Sequence, residues 1–175
     1  RGAKNWTRER YEDKIGKIAR VLGNLGSRGA PGIIGLAEVE NSKVLQDLVK
    51  RNKLSNIYYG IVHEDSPDRR GIDVALLYNP EVFQQLNHQS ITIVFPFNKE
   101  SKVRDILYVK GVASGTDTLH IFVNHWKSRA GGRKATEQKR IYSARILKHH
   151  TDSILKRNPQ ANVVAIGDRS EERRV

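Results

Sequence analysis

The sequence predicts a layered domain of the α/β or α+β class, in which helices pack on a mixed β-sheet. Amphipathic helical segments lie towards both ends of the chain, strand-like segments fill the middle, and no internal repeat is evident. A length of 175 residues suffices for one hydrophobic core and is short for two domains. We therefore assign residues 1–168 to one domain and expect residues 169–175 to form a charged, mobile tail.

Helices are expected in three segments. In residues 7–25, apolar side chains recur at three- and four-residue steps, and Gly26 is a suitable stop. A second helix over residues 41–52 follows Asn41 or Ser42, either of which can cap it. A long helix over residues 136–157 has Thr136 as its expected cap and ends before Pro159.

Strands are expected in seven segments. Residues 33–39 and 161–168 are short apolar runs of the kind found in buried strands. The other strand-like segments are residues 58–64, 72–79, 90–97, 104–113 and 118–126. Some of the turns between them are marked by Gly, Pro and Asp.

The composition indicates a basic, globular protein. Lys and Arg number 31 against 19 Asp and Glu, which gives a net charge of +12. Such a charge attracts nucleic acid, anionic lipid or a phosphorylated substrate, although it also fits a solvated basic surface without a specific partner. The absence of Cys excludes disulfides, thiolate metal sites and a Cys nucleophile. No apolar run approaches the ~20 residues that a membrane span requires.

Three apolar segments end in polar groups. Glu38 follows IIGLA, Asn124 and His125 follow HIFV, and Asp168 follows VVAIG. Because an unpaired buried carboxylate costs several kcal/mol, these groups are expected where each strand leaves the core. Strand ends of one sheet can converge on a crevice. Two carboxylates and an imidazole there would suit phosphoryl transfer assisted by a hard metal ion.

Each of these residues also has an ordinary structural interpretation. Glu38 could cap the helix that follows, His125 could be a core histidine, and Asp168 could be a turn residue. Arg104 could face solvent on its strand. Trp126 could pack in the core or stack on a base or sugar.

Five sequence blocks, taken together and in order, resemble the endonuclease/exonuclease/phosphatase (DNase I-like) superfamily and its bacterial nuclease-type members. They are IIGLAEVEN (33–41), DSPDRRGIDVALLYNP (65–80), RDILYVKG (104–111), VNHWKSR (123–129) and VVAIGD (163–168). The resemblance implies a four-layer α/β/β/α sandwich. The superfamily pattern has a first strand with an Asn, a Gly-Asp-Phe-Asn continuation and a later Asp-His pair. We expect this chain to lack these parts and hence the complete catalytic set.

The resemblance also implies roles for individual residues. Glu38 and Asp168 match metal- and phosphate-binding acids, and the implied ion is Mg²⁺, with Mn²⁺ or Ca²⁺ as alternatives. His125 matches a histidine that contacts the scissile phosphate or its leaving oxygen. Asp73 lies near the position of the acid that orients this histidine, although it could instead pair with Arg69 or Arg70.

Further residues are assigned to phosphate binding by the same resemblance: Arg104, Asn124, Arg129 and Arg70. The implied function is a divalent-metal-dependent phosphodiesterase, with a nuclease acting on DNA or RNA as the preferred interpretation. A phosphoesterase acting on a lipid or inositol phosphate is one alternative. A non-catalytic basic fragment that binds nucleic acid is another.

Overall fold

Two stacked β-sheets form the centre of the structure, a computed structural model that describes residues 7–26 and 29–169. Three α-helices and a short 3-10 turn over Asn52–Asn56 accompany the sheets. In chain order the helices and strands are α1 (Arg8–Leu22), β1 (Ile33–Val39), α2 (Ser42–Val49), β2 (Gly60–His63), β3 (Asp73–Tyr78), β4 (Phe83–Ile91), β5 (Ile106–Ala113), β6 (Asp117–His125), α3 (Arg133–Arg157) and β7 (Asn162–Asp168).

The two sheets differ in their connections. The smaller sheet has the strand order β1-β3-β2, with both pairs antiparallel. The larger sheet has the order β4-β5-β6-β7. Its last pair, β6 and β7, is parallel, and α3 lies between these strands in the chain. A parallel pair needs such a crossover, and it brings the carboxyl ends of β6 and β7 to one edge.

Alternate side chains of the central strands separate the layers. On β3, Ala75 and Leu77 pack with the apolar faces of α1 and α2, while Val74 and Leu76 pack between the sheets. On β6, the side chain of Phe122 points away from the smaller sheet and belongs to the core beneath α3. The order of layers is therefore helix, sheet, sheet, helix. This confirms the predicted α/β/β/α sandwich of the DNase I-like type.

The helix ends follow local capping chemistry, with two departures from prediction. Thr7 accepts a hydrogen bond from Arg10 N at the start of α1, and Asn41 accepts one from Val44 N at the start of α2. However, α1 stops at Leu22, after which the amides of Asn24 and Leu25 donate to carbonyls three residues earlier instead of four. The predicted Thr136 cap is wrong, since α3 already begins at Arg133.

Two strand predictions need correction. The strand predicted over residues 90–97 is instead β4, which runs from Phe83 to Ile91 and pairs with β5 along its length. The polar composition of β4 is the reason that it was not predicted, because an edge strand can leave most of its side chains in water. The predicted buried strand at residues 161–168 is β7, which is an edge strand of its sheet, with Val164 41% exposed.

Within the described part of the chain, no helix combines the length and apolarity needed to cross a membrane. The predicted charged tail falls largely outside the described residues, since only Arg169 of residues 169–175 is placed. The assignment of residues 1–168 to one domain stays a prediction.

Candidate active site

Glu38 leaves the regular ladder of its strand. Between Ala37 and Val39 the pairing of β1 with β3 shifts register, and the φ angle of Glu38 is 58°. A positive φ is unfavourable for a residue with a Cβ, by about 1–3 kcal/mol, and persists where the surroundings impose it. Bulges of this kind redirect a side chain and are frequent beside active sites. Glu38 is exposed at the end of the strand.

The parallel pairing of β6 and β7 sets His125 beside Asp168. These two residues are register partners, and Trp126 N donates to Asp168 O at 2.9 Å. The strand β1 packs against both of these strands. A Cβ on Gly35 would lie 2.4 Å from Ile166 Cδ1, so glycine permits this close approach. The carboxyl ends of these three strands, which come from both sheets, thus lie at the same end of the stacked sheets.

His125 is buried, with 7% of its surface exposed, and its Nδ1 makes no hydrogen bond with the described residues. Burial lowers the pKa of His125, and the Arg104 guanidinium lowers it further. The carboxylates of Asp168 and Glu38 oppose this shift. The imidazole is therefore neutral at pH 7, so one ring nitrogen can donate a hydrogen bond and the other can accept one.

Arg104 holds the backbone at the end of β6. Its side chain is buried, and Nε donates to His125 O at 3.0 Å while Nη2 donates to Trp126 O at 2.6 Å. Nη1 donates to Asp68 Oδ2 at 2.9 Å. The residue precedes β5 rather than facing solvent on it, so that alternative is wrong. Arg104 fixes the histidine's main chain, while its role as a phosphate ligand stays a prediction.

Asp68 is the acidic partner of this arginine, and it was not predicted as a site residue. Burial alone would raise the pKa of Asp68, but hydrogen bonds from Arg70 and Arg104 outweigh burial and lower it to about 2. Arg70 donates to this carboxylate through its backbone N (2.9 Å), Nε (3.1 Å) and Nη2 (3.2 Å). The side chain of Arg70 is 54% exposed and remains accessible to a ligand.

A basic cavity of about 270 Å³ opens beside this network. Its charged lining consists of six cations and two anions: Arg69, Arg70, Lys102, Arg104, Lys127, Lys139, Asp68 and Glu100. The excess of cations would attract an anionic ligand. Lys102 and Lys139 were not predicted, because neither belongs to a strand end or a resembling block.

The donor atoms at the strand ends fit a hard divalent cation. Glu38 and Asp168 offer carboxylate oxygens, which are the ligands that Mg²⁺ prefers. Both acids act electrostatically on His125, so the three groups share one site. These acids would hold the ion.

Residues 1–174 match a sequence family described as the Endonuclease/Exonuclease/phosphatase family. The chain belongs to this family. Its fold also matches solved structures of low sequence identity. Truncated TDP2 from Caenorhabditis elegans has a TM-score of 0.68 at 19% identity, with 95% of this chain and 58% of that chain covered.

Two further solved structures have this fold. D. rerio TDP2 complexed with single strand DNA product has a TM-score of 0.62 at 17% identity, covering 93% of this chain and 55% of that one. ANGEL2, a 2',3'-cyclic phosphatase, has a TM-score of 0.68 at 12% identity, covering 94% and 44%. The chain thus spans about half the length of these structures. No curated protein matches it.

Two of the predicted site residues make hydrogen bonds within the protein. The carboxylate of Asp73 accepts hydrogen bonds from Ser66 and lies 3.4 Å from His63 Nε2, while its part in orienting His125 stays a prediction. Asn124 is fully buried, and its side-chain amide donates hydrogen bonds to the carbonyls of Phe122 and Ile166. Asn124 therefore joins β6 to β7, and its part in phosphate binding stays a prediction.

The remaining residues of the NHWKSR segment divide between core and surface. Trp126 is 6% exposed and donates to Asn124 Oδ1 at 3.2 Å, so packing is its role. Lys127 lines the basic cavity. Arg129 is half-buried in the segment that follows β6, and its part in phosphate binding stays a prediction.

Proposed function

We propose that this protein is a divalent-metal-dependent phosphodiesterase that hydrolyses nucleic acid. The single observation that carries the proposal is the convergence of Glu38, His125 and Asp168 at one end of the two stacked sheets. The adjoining cavity with its excess of cations supports an anionic substrate. Membership of the endonuclease/exonuclease/phosphatase family supports phosphoester hydrolysis as the class of reaction.

In this proposal His125, Arg70 and Arg104 have different roles. His125, held neutral by burial, donates a hydrogen bond to a phosphate oxygen or to the leaving oxygen. Arg70 reaches the phosphate with its exposed guanidinium, and Arg104 keeps the His125 backbone in place. A Mg²⁺ ion held by Glu38 and Asp168 would neutralise phosphate charge and favour attack by water.

The preference for nucleic acid rests on charge. A net charge of +12 suits a polyanion with many phosphates, and phosphate contacts hold a nucleic acid without reading its sequence. The binding of single-stranded DNA product by D. rerio TDP2, which has this fold, supports such a substrate. Since ANGEL2 is a cyclic phosphatase, smaller phosphoesters belong among the substrates to be tested.

The proposal is tested by hydrolysis assays on the full-length protein. Single- and double-stranded DNA, RNA, a 2',3'-cyclic nucleotide, an inositol phosphate and a sphingomyelin vesicle are each incubated with Mg²⁺ and with EDTA. We expect cleavage of a nucleic acid with Mg²⁺ and none with EDTA. Cleavage restricted to the small or lipid substrates would contradict the nuclease assignment. Tight binding of nucleic acid without hydrolysis of any substrate would favour a non-catalytic basic binding protein.

A further inference from the structure

A second cluster of metal-ligating side chains lies outside the pair Glu38 and Asp168. His63 ends β2, Asp73 begins β3, and Asp65 belongs to the loop between these strands. One ligand atom from each of the three lies within 4.8 Å of the others. The side chains of His63 and Asp73 are 6% and 5% exposed, whereas Asp65 is exposed.

The buried histidine nitrogen at the centre of this cluster lacks a hydrogen bond. Nε2 of His63 is shielded from solvent and has no hydrogen-bond partner among the described residues. It faces Asp73 Oδ2 at 3.4 Å, beyond the usual range of about 2.7–3.2 Å for a nitrogen–oxygen hydrogen bond. A buried polar atom without a partner is unfavourable, so this nitrogen requires an explanation.

Asp73 presents one oxygen to this nitrogen because its other oxygen is already occupied. Oδ1 accepts hydrogen bonds from Ser66 N at 2.8 Å and from Ser66 Oγ at 2.5 Å. These bonds fix the orientation of the carboxylate and leave Oδ2 directed at His63. The arrangement is that of a metal-ligating carboxylate whose second oxygen is held by a neighbouring group.

The separation of the two atoms matches that of ligands sharing one cation. Tetrahedral Zn²⁺ binds nitrogen and oxygen at about 2.0–2.1 Å, which places two ligand atoms roughly 3.4 Å apart. His63 Nε2 and Asp73 Oδ2 have this separation. Asp65, on an exposed loop, can rotate to supply a third ligand. An imidazole donor favours a transition metal over Mg²⁺ or Ca²⁺.

We propose that His63, Asp65 and Asp73 bind one transition-metal ion of the Zn²⁺ class, with water completing its coordination. The ion would tie the end of β2 to the start of β3 and thereby order the intervening loop. That loop carries Asp68 and Arg70, which line the basic cavity. The site is therefore structural, and its chemistry differs from that of the oxygen-rich pair Glu38 and Asp168.

The test is Zn²⁺ binding to the full-length, tag-free protein by isothermal titration calorimetry in excess Mg²⁺, which occupies oxygen-only sites. Co²⁺ in place of Zn²⁺ gives visible absorption that reports four-coordinate geometry. The variants are His63→Gln and Asp65→Asn. Asp117→Asn is the matched control for the exposed aspartate, and His149→Ala tests the adjacent His149–His150 pair on α3.

We expect one equivalent of Zn²⁺ to bind and the Co²⁺ form to absorb as a four-coordinate complex. His63→Gln and Asp65→Asn should each weaken binding by more than about tenfold, while both control variants bind as the parent does. If His63→Gln fails to fold, Asp65→Asn still decides, because its side chain is exposed. Absence of Zn²⁺ binding, or binding that survives Asp65→Asn and is lost in His149→Ala, would overturn the proposal.

Discussion

At the scale of single residues, a buried ion pair connects the loop between β2 and β3 to the end of β6. Arg104 and Asp68 are both buried, and the arginine also holds two backbone carbonyls. Sequence reasoning selected Arg104 as a phosphate ligand but missed Asp68. The two residues are 36 positions apart, and a loop aspartate carries no periodic pattern that would reveal its partner.

Asp68→Asn preserves the shape of the side chain but leaves the buried guanidinium without a carboxylate. We expect the free energy of unfolding to fall by about 3 kcal/mol or more, measured by urea denaturation. Asp117→Asn, at an exposed position, should change it by less than about 0.5 kcal/mol. Equal stability of the two variants would show that the ion pair contributes nothing.

The same variant makes a prediction about pH. The hydrogen bonds to Asp68 lower its pKa from 3.8 to about 2, so the folded state favours the carboxylate. Its contribution to stability is present above about pH 4 and disappears as the pH falls towards 2. The difference in stability between the parent and Asp68→Asn should therefore shrink over this interval.

His125 offers a second prediction at this scale. His125→Asn in the full-length protein removes the imidazole but retains a hydrogen-bonding amide. We expect turnover to fall by about 10²–10⁴-fold. Because His125 Nδ1 makes no hydrogen bond with the described residues, Tm should change by less than about 5 °C.

The matched control is His120→Asn, on the same strand, which should keep its turnover. Parental turnover in His125→Asn combined with a large loss of Tm would make His125 a packing residue.

At the scale of secondary-structure elements, β7 depends on one glycine. Gly167 has a φ of 115°, and a Cβ there would lie 2.0 Å from Asn124 O. Gly167→Ala should separate β7 from β6 and destabilise the fold by more than about 2 kcal/mol. Because Asp168 follows directly, Mg²⁺ affinity should fall as well.

The same substitution elsewhere should have the opposite effect. Gly16 lies inside α1 with nothing near its missing Cβ, so Gly16→Ala should stabilise by about 0.5–1 kcal/mol. Chemical denaturation of both variants checks the pair of predictions. A stable Gly167→Ala variant with normal Mg²⁺ binding would contradict the described pairing of β7 with β6 at Gly167.

Helices and strands could be predicted where the sequence has helical periodicity or an apolar run. The strand at residues 33–39 was predicted with the bounds that β1 has, and α2 starts after Asn41, one of its two predicted caps. The failures have physical causes. β4 is polar because it lies at a sheet edge, and the bulge at Glu38 depends on pairing with β3, which local sequence does not encode. The hydrogen bond from Asn124 to Ile166 was not predicted, because the two residues lie on different strands.

At the scale of the whole molecule, the net charge of +12 predicts binding to nucleic acid that does not depend on its sequence. Two DNA duplexes of unrelated sequence should bind with similar affinity, because phosphate contacts do not read bases. Raising salt from about 50 to 200 mM should weaken both by at least about tenfold. Fluorescence anisotropy measures both effects. A marked preference for one duplex, or affinity that ignores salt, would contradict this view of the basic surface.

The fold brings together side chains that are far apart in the sequence, and three of these side chains were predicted as site residues. Glu38, His125 and Asp168 were recognisable because each ends an apolar strand, and strand ends meet at a common edge. The basic cavity was beyond sequence reasoning. Its cations come from four separate segments, and only the packing of α3 on the larger sheet brings Lys139 near Lys102 and Arg70.

The most direct test of the proposed site compares Glu38→Gln with Glu40→Gln in the full-length protein. Both substitutions remove one exposed carboxylate from neighbouring positions, but only Glu38 acts on His125. We measure nucleic-acid hydrolysis at saturating Mg²⁺, together with Tm. Glu38→Gln should lose about 100-fold or more in rate with little change in Tm, while Glu40→Gln keeps the parental rate. Hydrolysis by Glu38→Gln at the parental rate would contradict the assignment of the active site to this edge.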